Sequence, residues 1–102
     1  DIYINTADMI SGVPASWPGY TLTVGSSGEK VRQMQMQLNR IAEDYPAMPT
    51  IRADGIFGSA TKNAVETFQR IFNLPVTGQV DFATWYKISQ IYVGVSRIAE
   101  LN

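Results

Sequence analysis

Histidine and cysteine are both absent from this chain, so any hydrolytic or metal chemistry would have to start from its carboxylates. That absence removes the usual zinc sites, the Ser-His-Asp triad, cysteine nucleophiles and disulfides together. The acidic residues are Asp1, Asp8, Glu29, Glu43, Asp44, Asp54, Glu66, Asp81 and Glu100. A glycosidase would need two of them paired across the bond to be cut. Glu43 and Asp44 instead end a helical pattern, and Glu66 falls on the polar side of another. Asp54 and Asp81 stand at turn and cap positions. No pair is marked for catalysis, so no catalytic residue is assigned and the charges read as a solvated surface.

Metal binding would have to come from the stretch "RADGIFGSATKNAVETFQ", Arg52–Gln69, with Asp-Gly at the centre of a loop. An EF-hand loop needs oxygen ligands at positions 1, 3 and 5, Gly at 6 and a bidentate Glu at 12. With Gly55 at position 6, Asp54 is correctly placed, but the other three positions fall on Thr50, Arg52 and Thr61. One carboxylate beside an arginine holds calcium poorly. No metal and no cofactor is expected, and the loop reads first as a turn that starts a helix.

Three elements must position that loop. Val31, Met34, Leu38 and Ile41 recur at helical spacing, predicting a helix from about residue 29 to 44, with Arg32, Gln33, Gln37 and Arg40 largely on its other side. "DYPAMP" ends it, because a residue before proline resists helical geometry. A second helix is expected from Ser59, with Ala64, Val65, Phe68, Ile71 and Phe72 as its apolar stripe and Asn73-Leu74-Pro75 closing it. A third follows Asp81 and carries Trp85, Ile88, Ile91, Tyr92, Val95 and Ile98. Gly94 lies inside it and marks a bend or a close helix contact. Residues 1–27 hold too much Gly and Pro for a long helix; Leu22 and Val24 allow a short extended piece. Residues 1–27 read as an arm lying on the domain, with Trp17 and Tyr20 either anchoring it or exposed for stacking on a sugar.

The second and third helices are preceded by similar sequences. "DGIFGSAT" at 54–61 aligns with "TGQVDFAT" at 77–84, each a Gly turn, one apolar residue and a helix start. Gly55 and Gly78 are expected at positive φ. Gly58 and Asp81 are the expected N-caps, with Thr61 and Thr84 able to bond back toward them. Phe57, Met34 and Trp85 are assigned to the core, Met36 and Tyr86 to the surface. Gln35 and Gln69, beside core residues, are expected to bond a neighbouring loop backbone.

A chain of 102 residues supports one domain with a modest core. A net charge of −1 without a basic face argues against nucleic acid, and no apolar run is long enough to span a bilayer. The chain begins at Asp1, which reads as a fragment of a longer or processed protein.

Three ordered blocks carry a family likeness. "LTVGSSGEKVRQMQMQLN", "DGIFGSATKNAVETFQ" and "TGQVDFATWYKI" together closely resemble the peptidoglycan-binding-like module of bacterial cell-wall enzymes. Leu22, Gly25, Gly28, Val31, Gln35, Leu38 and Asn39 match its first block, with Met34 in place of the usual Leu. Asp54, Gly55, Phe57, Gly58, Thr61, Ala64, Val65, Phe68 and Gln69 match the second. Leu74, Gly78, Val80, Asp81, Thr84 and Trp85 match the third, with Ile88 at a Leu position. The likeness covers residues 20–91, and the loop and tail resemble the version in clostridial and bacillar wall or spore proteins.

The resemblance implies an all-α, three-helix bundle with an irregular N-terminal arm (1–19), a domain at 20–102 and a long C-terminal helix. It implies a non-catalytic, monomeric module, outside the cell in wall or spore cortex, that binds peptidoglycan and tethers a neighbouring catalytic domain such as a hydrolase, amidase or peptidase. The alternative is a protein–protein assembly module of a spore or surface structure, using the apolar residues late in the third helix. Sugars stack on aromatic faces, and stem-peptide carboxylates suit helix N-termini and cations. The expected ligand groove is therefore Tyr45, Arg52, Asp54, Gly58, Ser59 and Thr61, with neither nucleic acid nor membrane as partner.

Overall fold

The structure, a computed structural model, describes the chain from Ser16 to Leu101, and side chains as far as Ser96. The expectations for residues 1–15 and for the Ile98 side chain lie outside the described residues. Among these residues the elements are α1 (Glu29–Asp44), α2 (Ser59–Ile71) and α3 (Phe82–Leu101), the all-α arrangement that the periodicity predicts.

Each helix buries the centre of its expected stripe, with Ile71, Phe72, Ile91 and Tyr92 half-buried at its edges. Val31, Met34, Leu38 and Ile41 of α1, Ala64, Val65 and Phe68 of α2, and Trp85, Ile88 and Val95 of α3 form one core with Leu22, Phe57 and Val80. Each large side chain of this kind contributes about 1.5–3 kcal/mol relative to exposure. Helix α2 stops where Asn73 turns to φ 61°, and Leu74 N–H returns to the carbonyl of Gln69 at 2.8 Å. That is a Schellman closure, and Pro75 follows it.

Helices α1 and α3 lie side by side. Arg40 donates to the Val95 carbonyl at 3.0 Å, while Ile91 and Tyr92 pack half-buried on the core. Of the late apolar residues of α3 that suggested an assembly surface, Val95 is buried in the core and Ile91 and Tyr92 are half-buried. Gly94 is exposed, and a side chain added there would meet nothing within 4 Å. The close contact considered for it from sequence is absent.

The piece preceding α1 is more than the short extended segment expected. Leu22 exchanges both backbone hydrogen bonds with Val80, at 3.0 and 2.8 Å. A few residues on, Gly25 N–H reaches Phe57, Phe57 N–H reaches Ser26, and Gly28 N–H reaches Gly55, each at 2.9 Å. One segment thereby ties down both turns that launch α2 and α3. Trp17 sits edge-on to Phe82 and Trp85, but Tyr20 is 58% exposed, so only the first of the two anchors the chain here.

Candidate functional site

The two launching turns are built around buried glutamines. From α1, Gln35 accepts from Gly55 N–H at 2.8 Å and donates through Nε2 to the Ile56 carbonyl at 2.9 Å and the Thr61 hydroxyl at 3.0 Å. From α2, Gln69 accepts from Thr77 and Gly78 N–H and donates to the Gln79 carbonyl and the Thr84 hydroxyl, between 2.9 and 3.1 Å. A carboxamide carries both donors and acceptors, so one side chain can satisfy a whole turn. The structural role read for both glutamines from sequence holds. Gly55 and Gly78 adopt φ 79° and 75°, as the turns require.

Gly58 and Asp81 stand at the helix starts as expected, and Asp81 Oδ1 accepts from Thr84 N–H at 3.0 Å. The threonines differ from expectation. Their hydroxyls accept from the buried glutamine amides, at 3.0 and 3.1 Å, and do not bond back to the caps. Thr61 is 3% exposed and Thr84 2%, so Thr61 presents nothing to a ligand and belongs to the scaffold.

Of the other expected site residues, four lie in the loop before α2 and at its first residue. Arg52, Asp54 and Ser59 are exposed, and Gly58 is half-buried between the loop and α2. Asp54 Oδ1 accepts from Ile56 N–H at 2.9 Å and lies 3.4 Å from Gln35 Nε2. The Ile56 bond is the main cause holding the Asp54 carboxyl below the usual carboxylate range, helped by Gln35 and by the Arg52 charge against a smaller opposing effect of desolvation. Asp54 therefore stays ionised and locked in its turn. Gly58 supplies no side-chain cap, so the first N–H groups of α2 keep an open position for an acceptor.

Tyr45 lies elsewhere. Its ring packs against Phe72 with centroids 5.1 Å apart, at the C-terminal end of α2. Thirteen residues of helix separate that end from Ser59, about 20 Å at 1.5 Å per residue. The loop after α1 and the start of α2 were expected to form one neighbourhood; the length of α2 separates Tyr45 from the rest.

Sequence reasoning also passed over two surfaces. A groove between α1 and α3 is lined by Glu29, Arg32, Gln33, Met36, Gln37 and Tyr92. Its signal was present in the i, i+3, i+4, i+7, i+8 spacing of the α1 residues, read only as a solvated face. The other is an aromatic shelf where Phe82 and Tyr86 stack 6.2 Å apart at the start of α3, 40% and 36% exposed. Tyr86 was expected at the surface; Phe82 was not singled out.

The arrangement has relatives. Residues 27–88 match the family model described as "Putative peptidoglycan binding domain". Over 77 residues the chain is 46% identical to the zinc D-Ala-D-Ala carboxypeptidase of Streptomyces albus G. That match takes in 74% of this chain and 28% of the length of the carboxypeptidase. The crystal structure of the SleB N-terminal domain superposes with a TM-score of 0.64 at 30% identity, covering 74% of this chain and 97% of that one.

Proposed function

The chain belongs to the peptidoglycan-binding domain family, and from that premise we propose that it holds a linked catalytic domain against the bacterial wall without doing chemistry itself. The observation that carries this reading is the family match across 27–88. It contains all of α1 and α2, both glutamine-held turns and the first part of α3. The 46% identity with a segment of a zinc D-Ala-D-Ala carboxypeptidase supports a catalytic partner elsewhere in the full-length protein. A tether raises the local concentration of such a partner over an insoluble polymer, even when the tether itself binds weakly.

The module spans residues 20–102 in this reading, with the preceding residues as an arm or linker, and acts as a monomer in the wall or cortex outside the cell. The loop and helix start formed by Arg52, Asp54, Gly58 and Ser59 are the ligand-facing surface. Arg52 offers a fork of donors to a carboxylate, and the uncapped start of α2 offers backbone N–H groups to the same kind of acceptor. Asp54 orders the turn between them.

Co-sedimentation with protein-free peptidoglycan sacculi tests the reading, with cellulose and an unrelated helical domain as controls. Selective pelleting that falls in Arg52→Ala is the expected result. A folded protein that stays in the supernatant at high sacculus concentration would sink the wall-binding function while leaving the fold untouched.

A further inference from the structure

We propose that the groove between α1 and α3 is a recognition site for a short extended peptide ending in a free carboxylate, the chemistry of a peptidoglycan stem; this rests on the wall-binding reading above. The groove floor is one strip of α1, from Glu29 to Gln37, walled by Tyr92 of α3. Eight residues of helix rise about 12 Å. An extended chain advances about 3.3 Å per residue, so the strip accommodates three to four residues of peptide.

The lining suits that occupant in kind as well as in length. Glu29 and Arg32 sit at one end, their charged groups 3.9 Å apart and their side chains 85% and 50% exposed. An exposed pair at that separation holds itself together weakly, so each partner is available to a ligand charge of the opposite sign. Arg32 can take the terminal carboxylate through two parallel N–H bonds. Farther along, Gln33 and Gln37 lie one turn apart and carry the donors and acceptors that a peptide backbone presents. Met36, 49% exposed, and the half-buried Tyr92 give apolar contact for small side chains such as the methyl of alanine.

One cation beside a carboxylate at one end and neutral amides along the rest match a peptide with a single terminal carboxylate better than a polyanion. A glycan would find a single aromatic wall, and that ring is half-buried. The groove also runs up to the loop before α2, since a side-chain carbon at Gly55 would lie 3.7 Å from the Arg32 Cβ. Arg32 therefore stands beside the turn that launches α2.

The test is a titration of the full chain with synthetic N-acetyl-Lys-D-Ala-D-Ala, followed by amide chemical shifts, with its C-terminal amide as control, beside sacculus pelleting of the same variants. Shifts confined to residues 29–37 and 92, loss of binding in the amidated peptide, and an affinity at least about tenfold weaker in Arg32→Ala would support the site. Gln33→Ala/Gln37→Ala is the second variant; both positions lie off the buried face of α1, and a circular-dichroism melt confirms folding. Sacculi that pellet both variants as well as the original chain would overturn the groove and leave wall binding standing. If that pelleting is instead lost in Phe82→Ala/Tyr86→Ala, the glycan is the ligand and the aromatic shelf its site. Sacculi that pellet none of the proteins would overturn both readings.

Discussion

The Nε2 of Gln35 lies 3.0 Å from the Thr61 hydroxyl, joining the middle of α1 to the first turn of α2 across the core. The same amide group holds Ile56, and its oxygen holds Gly55. Replacing Gln35 by Leu keeps the volume and strips every one of these bonds, leaving the buried Gly55 N–H and the Thr61 hydroxyl unpaired. The expected cost is about 2–4 kcal/mol. Gln35→Glu should be worse near neutral pH, because it puts a charge in the core and an acceptor against the Ile56 carbonyl. Burial raises the folded-state pKa of that new carboxyl above its unfolded value, so the variant should regain stability as acid protonates it. Denaturant melts of both variants across pH check the order; Gln35→Leu within about 0.5 kcal/mol of the original would show that the turn holds itself.

The turn glycines should separate from the helical one in sign. Gly55 and Gly78 sit at φ 79° and 75°, where a side chain costs about 1–2 kcal/mol in backbone strain alone. A Cβ at Gly55 would stand 3.2 Å from the Gly28 carbonyl oxygen, which the segment pairing holds in place. At Gly78 it would meet Lys62 side-chain carbons at 2.9 Å, and a lysine can swing aside. Gly94 has nothing near it, and Ala there should add up to about 1 kcal/mol. Melting temperatures should therefore run Gly94→Ala highest, then the original chain, Gly78→Ala and Gly55→Ala. A reversal of the last two would mean that Lys62 is held more firmly than the Gly28 backbone.

How much of this was legible depended on whether a signal was local. The helices follow from apolar spacing, and the positive φ of Gly55 and Gly78 from the aligned turns, because each is fixed within a few residues of chain. The destination of a polar side chain is not local. Thr61 reads as a cap from its own neighbourhood, and only the approach of α1 makes it a partner of Gln35, twenty-six residues away. Asn39 shows the same limit: it brackets Ile51 through both N–H and carbonyl, at 2.9 and 2.7 Å, and sequence offered it only as part of a pattern. The groove escaped because concavity belongs to two helices, and α1 alone shows merely a polar face.

Asp54 should report its turn through pH. Its carboxyl is held below the ordinary range, first by the Ile56 N–H and then by Gln35 and Arg52. A depressed folded-state pKa contributes stability that is complete above the unfolded value and is lost as pH falls through the folded one. Asp54→Asn retains an oxygen for Ile56 but no charge. The original chain should be the more stable of the two near neutrality, and the gap in melting temperature should close as acid protonates Asp54. A gap unchanged at about pH 2 would assign the difference to geometry and not to charge.

Tyr45 and Arg52 should fail in different ways. The Tyr45 ring is half-buried against Phe72, so Tyr45→Ala removes packing and should cost about 1–3 kcal/mol of stability. It lies about 20 Å from the start of α2, too far to share one small ligand with Ser59. Once folded, that variant should pellet with sacculi like the original chain. Arg52 is exposed, and its truncation should leave stability within about 0.5 kcal/mol while weakening sacculus binding. Paired melts and pelleting curves for both variants distinguish the two roles. If folded Tyr45→Ala lost binding as well, the ligand would have to run the length of α2, and recognition would follow a strand of polymer instead of a single terminus.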